Sequence, residues 1–185
     1  MIFPADRYYI ERAAEQLMED MGLWRYPIKV MDVLQWMGVP LTPYSSFEKQ
    51  ERGEIMQASP DAFLAMRGSQ SEVFYNDGIC RCTRIRFSIA HEIGHIWLGH
   101  REQTPKNERS ANYFAGYLLA PHPLIIAHGL WSDVATSMWL SERCAKFAHD
   151  QAKARWAEKR PFTSHERAIV GMIREIGVLP CSAVA

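Results

Sequence analysis

His91-Glu92-Ile93-Gly94-His95 places two imidazoles four residues apart with a carboxylate beside the first. On a helix, residues at that spacing share a face, about 40° apart in azimuth and ~6 Å apart along the axis. Two imidazoles so arranged can bind one metal ion, and Glu92 can stand next to a water activated by that ion without taking a coordination position. Such a site needs a third protein ligand. A short reach downstream, residues 108–120 read as a second helix stopped by Pro121 and Pro123, with Glu108 and Asn112 one turn apart. Glu108 is the first candidate for the third ligand and Glu102 the next. Asn112 can orient a ligand histidine through a hydrogen bond, or be a plain surface amide. The competing reading of the histidine pair is two ordinary surface or core residues. Two compatible helical patterns in the right order favour the metal.

The elements around the pair must hold it in place. Ser88 suits an N-cap, and Ile89, Ile93, Ile96 and Trp97 recur at helical spacing as an apolar stripe. Gly99 suits a helix stop, and residues 84–87 suit a strand feeding the helix. Ala111, Ala115 and Gly116 are small enough for another helix to approach closely.

The run Arg84-x-Arg86-Phe87-Ser88-Ile89-Ala90-His91-Glu92-Ile93-Gly94-His95, followed by Glu108-x-x-Ala111-Asn112-x-Phe114-Ala115-x-x-Leu118-Leu119-Ala120-Pro121, resembles the ImmA/IrrE family of metallopeptidases. The resemblance spans residues 27–155 and is strongest over 84–121. It implies one zinc ion per chain, held by His91, His95 and Glu108, with Glu92 as general base. It also implies a prophage, mobile-element or stress-response setting and a repressor-type protein as substrate. Two departures stand out. Ser110 occupies a place where members often carry a second acidic residue, and Gly99 stretches the usual His-x-x-Leu-His ending, so that His100 has no settled role. An oxyanion needs a donor, and Tyr113, Tyr117, His100, His122 and His128 are the candidates.

Composition bounds the alternatives. A chain of 185 residues with 48% hydrophobic content supports one domain with a sizeable core. Lys and Arg total 21, as do Asp and Glu, so the zero net charge gives no global attraction to nucleic acid or anionic membrane. No charged-then-apolar leader pattern occurs, and no apolar run approaches the ~20 residues of a membrane span, so the expected compartment is the cytoplasm. Cys80-x-Cys82 lacks a second pair to complete a metal site, and disulfides are disfavoured in a reducing compartment. No glycine-rich phosphate loop supports nucleotide hydrolysis.

Along the chain, residues 5–21 read as an amphipathic helix with Tyr9, Ala13, Leu17 and Met21 inward. Residues 27–37 read as a second helix closed by Gly38, and 39–44 as an edge strand broken by prolines. After a polar loop at 45–52, strands are expected at 53–58, 62–67 and 72–75, with a hairpin turn over 68–71. Their last edge offers a place for an extended peptide. Short helices at 124–128 and 133–138 precede a longer one capped by Ser141, and Thr163-x-x-Glu166 opens a final helix through Ile176. Residues 133–145 faintly suggest a helix-turn-helix, but Ser141, Glu142 and a single Arg143 make a poor recognition start, so direct nucleic-acid binding is not expected.

The expected architecture is therefore α+β and zincin-like. A small, largely antiparallel sheet lies beside the metal helix, and the C-terminal half is mostly helical. Residues 1–120 carry the catalytic core and 121–185 a helical cap packed on it. The leading function is zinc-dependent endopeptidase acting on a repressor-type partner. The alternative is a metal-containing regulatory module that sequesters a repressor or antitoxin-like partner without cutting it.

Overall fold

The structure is a computed structural model and describes residues 4–68, 70–79 and 82–177. It is α+β. Helix α1 (Pro4–Met21) leads to β1 (Arg25–Tyr26), α2 (Val30–Trp36), β2 (Leu41–Pro43) and α3 (Lys49–Ala58). Strands β3 (Ala62–Arg67) and β4 (Gln70–Tyr75) precede α4 (Cys82–Trp97) and α5 (Pro105–Leu119). The rest is α6 (His122–Ala127), α7 (Val134–Ser137), α8 (Glu142–Ala157), α9 (Ser164–Met172) and β5 (Glu175–Ile176).

The main sheet runs β2-β4-β3. β3 and β4 form the antiparallel hairpin expected from the sequence, with Gly68 at φ +64 in its turn, while β2 joins β4 in parallel. β4 is thus the central strand, and the edges are β2 and β3. A second, two-stranded pairing joins β1 to β5 in parallel, which ties residue 175 to residue 25.

The apolar core is built around α4 and α5. Ile85, Ile89 and Ile93 form one stripe of α4, and Ala111, Phe114, Ala115 and Leu118 form the facing stripe of α5, all buried. The two helices touch closely at Gly94. A Cβ there would lie 3.1 Å from Phe114 and 3.2 Å from the Ala111 carbonyl oxygen. Of the small residues of α5, Ala111 lines this contact, whereas Gly116 faces Phe147 of α8. Arg86, only 1% exposed, locks α4 to distant chain. Its Nε donates to the Ile28 carbonyl at 3.1 Å and its Nη1 to the Met138 and Trp139 carbonyls at 2.9 and 2.8 Å.

Several local expectations change. α4 starts at Cys82, so residues 84–87 are helical and Ser88 is interior, its Oγ donating to the Arg84 carbonyl. The Arg-Ile-Arg alternation mimics a strand, but Ile85 continues the Ile89/Ile93 stripe by one turn, and that burial wins. Residues 49–58 form helix α3 rather than a loop and a strand. Lys, Gln, Glu, Arg, Met and Ala there are good helix formers, and one interior Gly53 costs only about 1 kcal/mol. On α1 the buried stripe is Ile10, Ala14, Leu17 and Met18, whereas Tyr9 is exposed. The shift also buries Glu15, because its carboxylate accepts from Tyr117 of α5 and pairs with Arg12 on its own helix.

α9 ends at Met172, short of the expected Ile176, since Glu175 and Ile176 are drawn into pairing with β1. Its capping box from Thr163 to Glu166 is formed, and Ser141 caps α8 by accepting from the Cys144 N–H. Cys82 is disulfide-bonded, which corrects the expectation of reduced cysteines; Cys144 is free. Cys80, Cys181 and the tail beyond Gly177 lie outside the described residues. No described helix is long and apolar enough to cross a membrane.

Candidate metal centre

α4 presents His91 and His95 on one side, and α5 lays Glu108 against them. Thr104 caps α5 by accepting from the Asn107 N–H, and Pro105 sits in its first turn, so Glu108 falls in the turn that follows the cap. His91 Nε2 and His95 Nε2 are 3.0 Å apart. Glu108 places one carboxylate oxygen 3.2 Å from His91 Nε2 and the other 3.4 Å from His95 Nε2. All three ligand atoms lie within 4.8 Å of one another. Ligands about 2.05 Å from a tetrahedral ion stand ~3.3 Å from each other. Two imidazole nitrogens and a carboxylate oxygen at these separations fit a zinc-type ion.

The electrostatics suit a cation. Burial pushes the His91 imidazole below its ordinary value, although Glu108 pulls the other way. His95 is lowered by burial and then by His91. Both effects favour neutral rings with a lone pair to donate. Glu92 is buried, and desolvation, reinforced by the Glu108 charge, pushes its carboxyl up to about 8. A backbone hydrogen bond from Leu64 of β3 opposes that rise. An ion beside Glu92 would lower it again through the opposite charge.

The surrounding contacts sort the other candidates. Asn112, one turn beyond Glu108, hydrogen-bonds the His91 ring. His100 packs edge-on against His95, Nδ1 to Nδ1 at 3.1 Å. Tyr113 and Tyr117 are turned away, donating to Glu11 at 2.6 Å and Glu15 at 2.7 Å on α1. His122 lies beyond them, edge-on to Tyr117 and 3.9 Å from Glu166. Of the histidine and tyrosine oxyanion candidates, His100 alone packs against a member of the cluster; His128 is exposed. Glu102 is not part of the metal cluster.

Two contributors escaped the sequence reading. The Leu64 N–H is a backbone group, so no residue type announces it. β3 offers it because Val73, opposite Leu64, spends its own N–H on the Pro40 carbonyl, so the Leu64/Val73 pair is not hydrogen-bonded and Leu64 faces the free edge. Arg86 did carry a signal, a lone guanidinium beside an isoleucine stripe.

Residues 60–152, just over half of the chain, match a peptidase family model described as the IrrE N-terminal-like domain. The match covers β3, β4, the whole metal centre and most of α8. No curated protein and no solved structure matches this chain.

Proposed function

The chain belongs to the IrrE N-terminal-like family of peptidases, and on that premise we propose that it is a zinc-dependent endopeptidase that cuts a repressor-type regulatory protein. The observation that carries this reading is the convergence of His91, His95 and Glu108 from two helices, with Glu92 buried beside them. His91 and His95 would hold the ion through Nε2 and Glu108 through its carboxylate. Bound zinc supplies a Lewis acid for the scissile carbonyl and lowers the pKa of water.

Every other role falls to the chain's own groups. Glu92 accepts the proton of the attacking water and delivers it to the leaving amine. The Leu64 N–H keeps that carboxylate in place. Asn112 orients His91. The substrate lies extended along β3. Ala62, Leu64 and Met66 share the parity of the ladder that faces the free edge. The Ala62 carbonyl there accepts from Ser59 Oγ and the Leu64 N–H is spent on Glu92, so the Leu64 carbonyl and the Met66 main-chain groups are those left to a peptide. Such an edge takes a stretch of chain in extended conformation.

The test compares wild type with Glu92→Gln, which keeps the shape and removes the base. Both are incubated with the product of a neighbouring repressor-like gene, with and without zinc, and the fragments are weighed by mass spectrometry. Glu92→Gln should keep its zinc and its partner affinity while cleavage falls at least ~10²-fold. Equal cleavage by the two proteins would remove Glu92 from the mechanism. Equal binding with no cleavage by either would make a sequestering module the better reading.

A further inference from the structure

α4 ends in a turn that carries a histidine back onto a ligand candidate. Gly99 has φ +68. Its N–H bonds to the Ile96 carbonyl at 3.1 Å, and the His100 N–H bonds to the His95 carbonyl at 2.9 Å. This is the Schellman pattern, with glycine at the left-handed position. Had the helix continued, a residue five positions on would sit about 140° around the axis from His95. The reversal instead stacks the His100 ring edge-on against His95, with centroids 5.1 Å apart.

The two Nδ1 atoms are 3.1 Å apart, a hydrogen-bond distance. A neutral imidazole has one N–H and one lone pair, so a single proton lies between the rings. If His100 donated it, His95 would carry its own proton on Nε2, the atom that faces His91 and Glu108, and could not ligate there. We propose that His100 is a positioning residue of the metal centre: its Nδ1 accepts the Nδ1–H of His95 and fixes the tautomer in which His95 Nε2 offers its lone pair to the ion. The proposal rests on the reading of His95 as a ligand. It gives the two ligand histidines separate supports, Asn112 from α5 for His91 and the α4 C-terminal turn for His95. It also gives Gly99 a purpose, because only a left-handed residue there folds His100 back.

The experiment uses the full chain, stripped of metal and titrated with zinc against a competing chelator. His100→Phe keeps a ring edge but removes the acceptor, and zinc affinity should fall 10–100-fold, the usual effect of losing an outer partner. His100→Gln restores an acceptor and should recover most of that loss. Circular dichroism of the metal-free proteins should be the same for all variants. In zinc-loaded wild type, nitrogen NMR should show a coupling through the hydrogen bond between the two Nδ1 atoms. Zinc binding by His100→Phe at wild-type strength, or absence of that coupling, overturns the proposal provided His95→Ala has lost its zinc. Zinc retained by His95→Ala overturns instead the ligand assignment on which the proposal stands.

Discussion

On one face of α5, Glu108 and Asn112 meet His91 and His95; on another, Tyr113 and Tyr117 meet Glu11 and Glu15, with His122, Arg155 and Glu166 beyond them. Both clusters bury polar groups, but in the second the carboxylates all have donors, and His122 Nε2 is the one atom named there that is left without a hydrogen-bond partner. There Tyr113 and Tyr117 donate to carboxylates, Arg12 pairs with Glu15 at 2.6 Å, and Arg155 pairs with Glu166 at 3.0 Å. Arg155 also donates to the Pro161 carbonyl. In the metal centre, two imidazoles and a carboxylate converge lone pairs on one point. Among the described residues, no Lys or Arg forms an ion pair with Glu92 or Glu108. Buried polar groups lacking donors are costly. The difference teaches that internal pairing marks a structural cluster, whereas an excess of acceptors marks a place for a cation.

The largest expected effect separates the two clusters by metal. The His91→Ala, His95→Ala double variant should lose zinc by far more than the ~10²-fold that removal of an outer partner causes. Zinc content by mass spectrometry checks this, and stoichiometric metal in the double variant would refute the assignment. A His122→Phe protein, altered only in the paired cluster, should bind zinc as wild type does.

Next in size is Arg155→Met. Arg155 and Glu166 are both 4% exposed, so removing the guanidinium strands a buried carboxylate. The expected loss is about 3–5 kcal/mol in denaturant unfolding, with zinc affinity unchanged in the protein that remains folded. A loss under 1 kcal/mol would show the pair to be better solvated than its burial indicates.

The paired cluster should also set an acid limit. Burial, aided by Arg155 and Arg160 against the pull of Glu166, pushes the His122 imidazole down to about 4. The unfolded chain therefore binds a proton that the folded one refuses. The stability from a neutral His122 is fully present above ~6.5 and is lost as pH falls toward 4, an effect on the order of 3 kcal/mol. Glu166 is raised by burial but lowered more by Arg155 and the Thr163 N–H. Its contribution is lost only at lower pH, below the ordinary carboxylate value. Unfolding free energies from pH 7 to pH 4 should decline less steeply in His122→Phe, and identical slopes would count against this source.

The smallest effect tests the spacing of the helices. In Gly94→Ala the new Cβ meets Phe114 at 3.1 Å and the Ala111 Cα at 3.3 Å, so α4 and α5 must part slightly. A cost of about 1–3 kcal/mol is expected, together with weaker zinc binding, because that spacing sets the reach from His95 to Glu108. Unchanged affinity would mean that the ligand side chains absorb the shift.

Local signals were read well and non-local ones poorly. Ser141, Thr163-x-x-Glu166, Pro121 and the hairpin around Gly68 act through bonds spanning a few residues. The helix boundaries they mark are where the sequence placed them, and the turn is only tighter than the expected 68–71, since Gln70 and Ser71 join β4. The start of α4 and the identity of α3 were misread because short stretches were judged without knowing what they would pack against. The inward face of α1 was also misplaced: Glu15 is buried because Tyr117, 102 residues away, donates to it.

The sequence by itself determined the chemistry on offer: His91, Glu92 and His95 on one helix, an acid on the next, and small residues where those helices must touch. Helical periodicity is enough to put the first three on neighbouring faces. Tertiary structure alone decided that Glu108 rather than Glu102 closes the cluster, that the Leu64 N–H reaches Glu92, and that Tyr113 and Tyr117 turn to α1. Those outcomes depend on how elements far apart in the chain cross, and on backbone groups that every residue type carries alike.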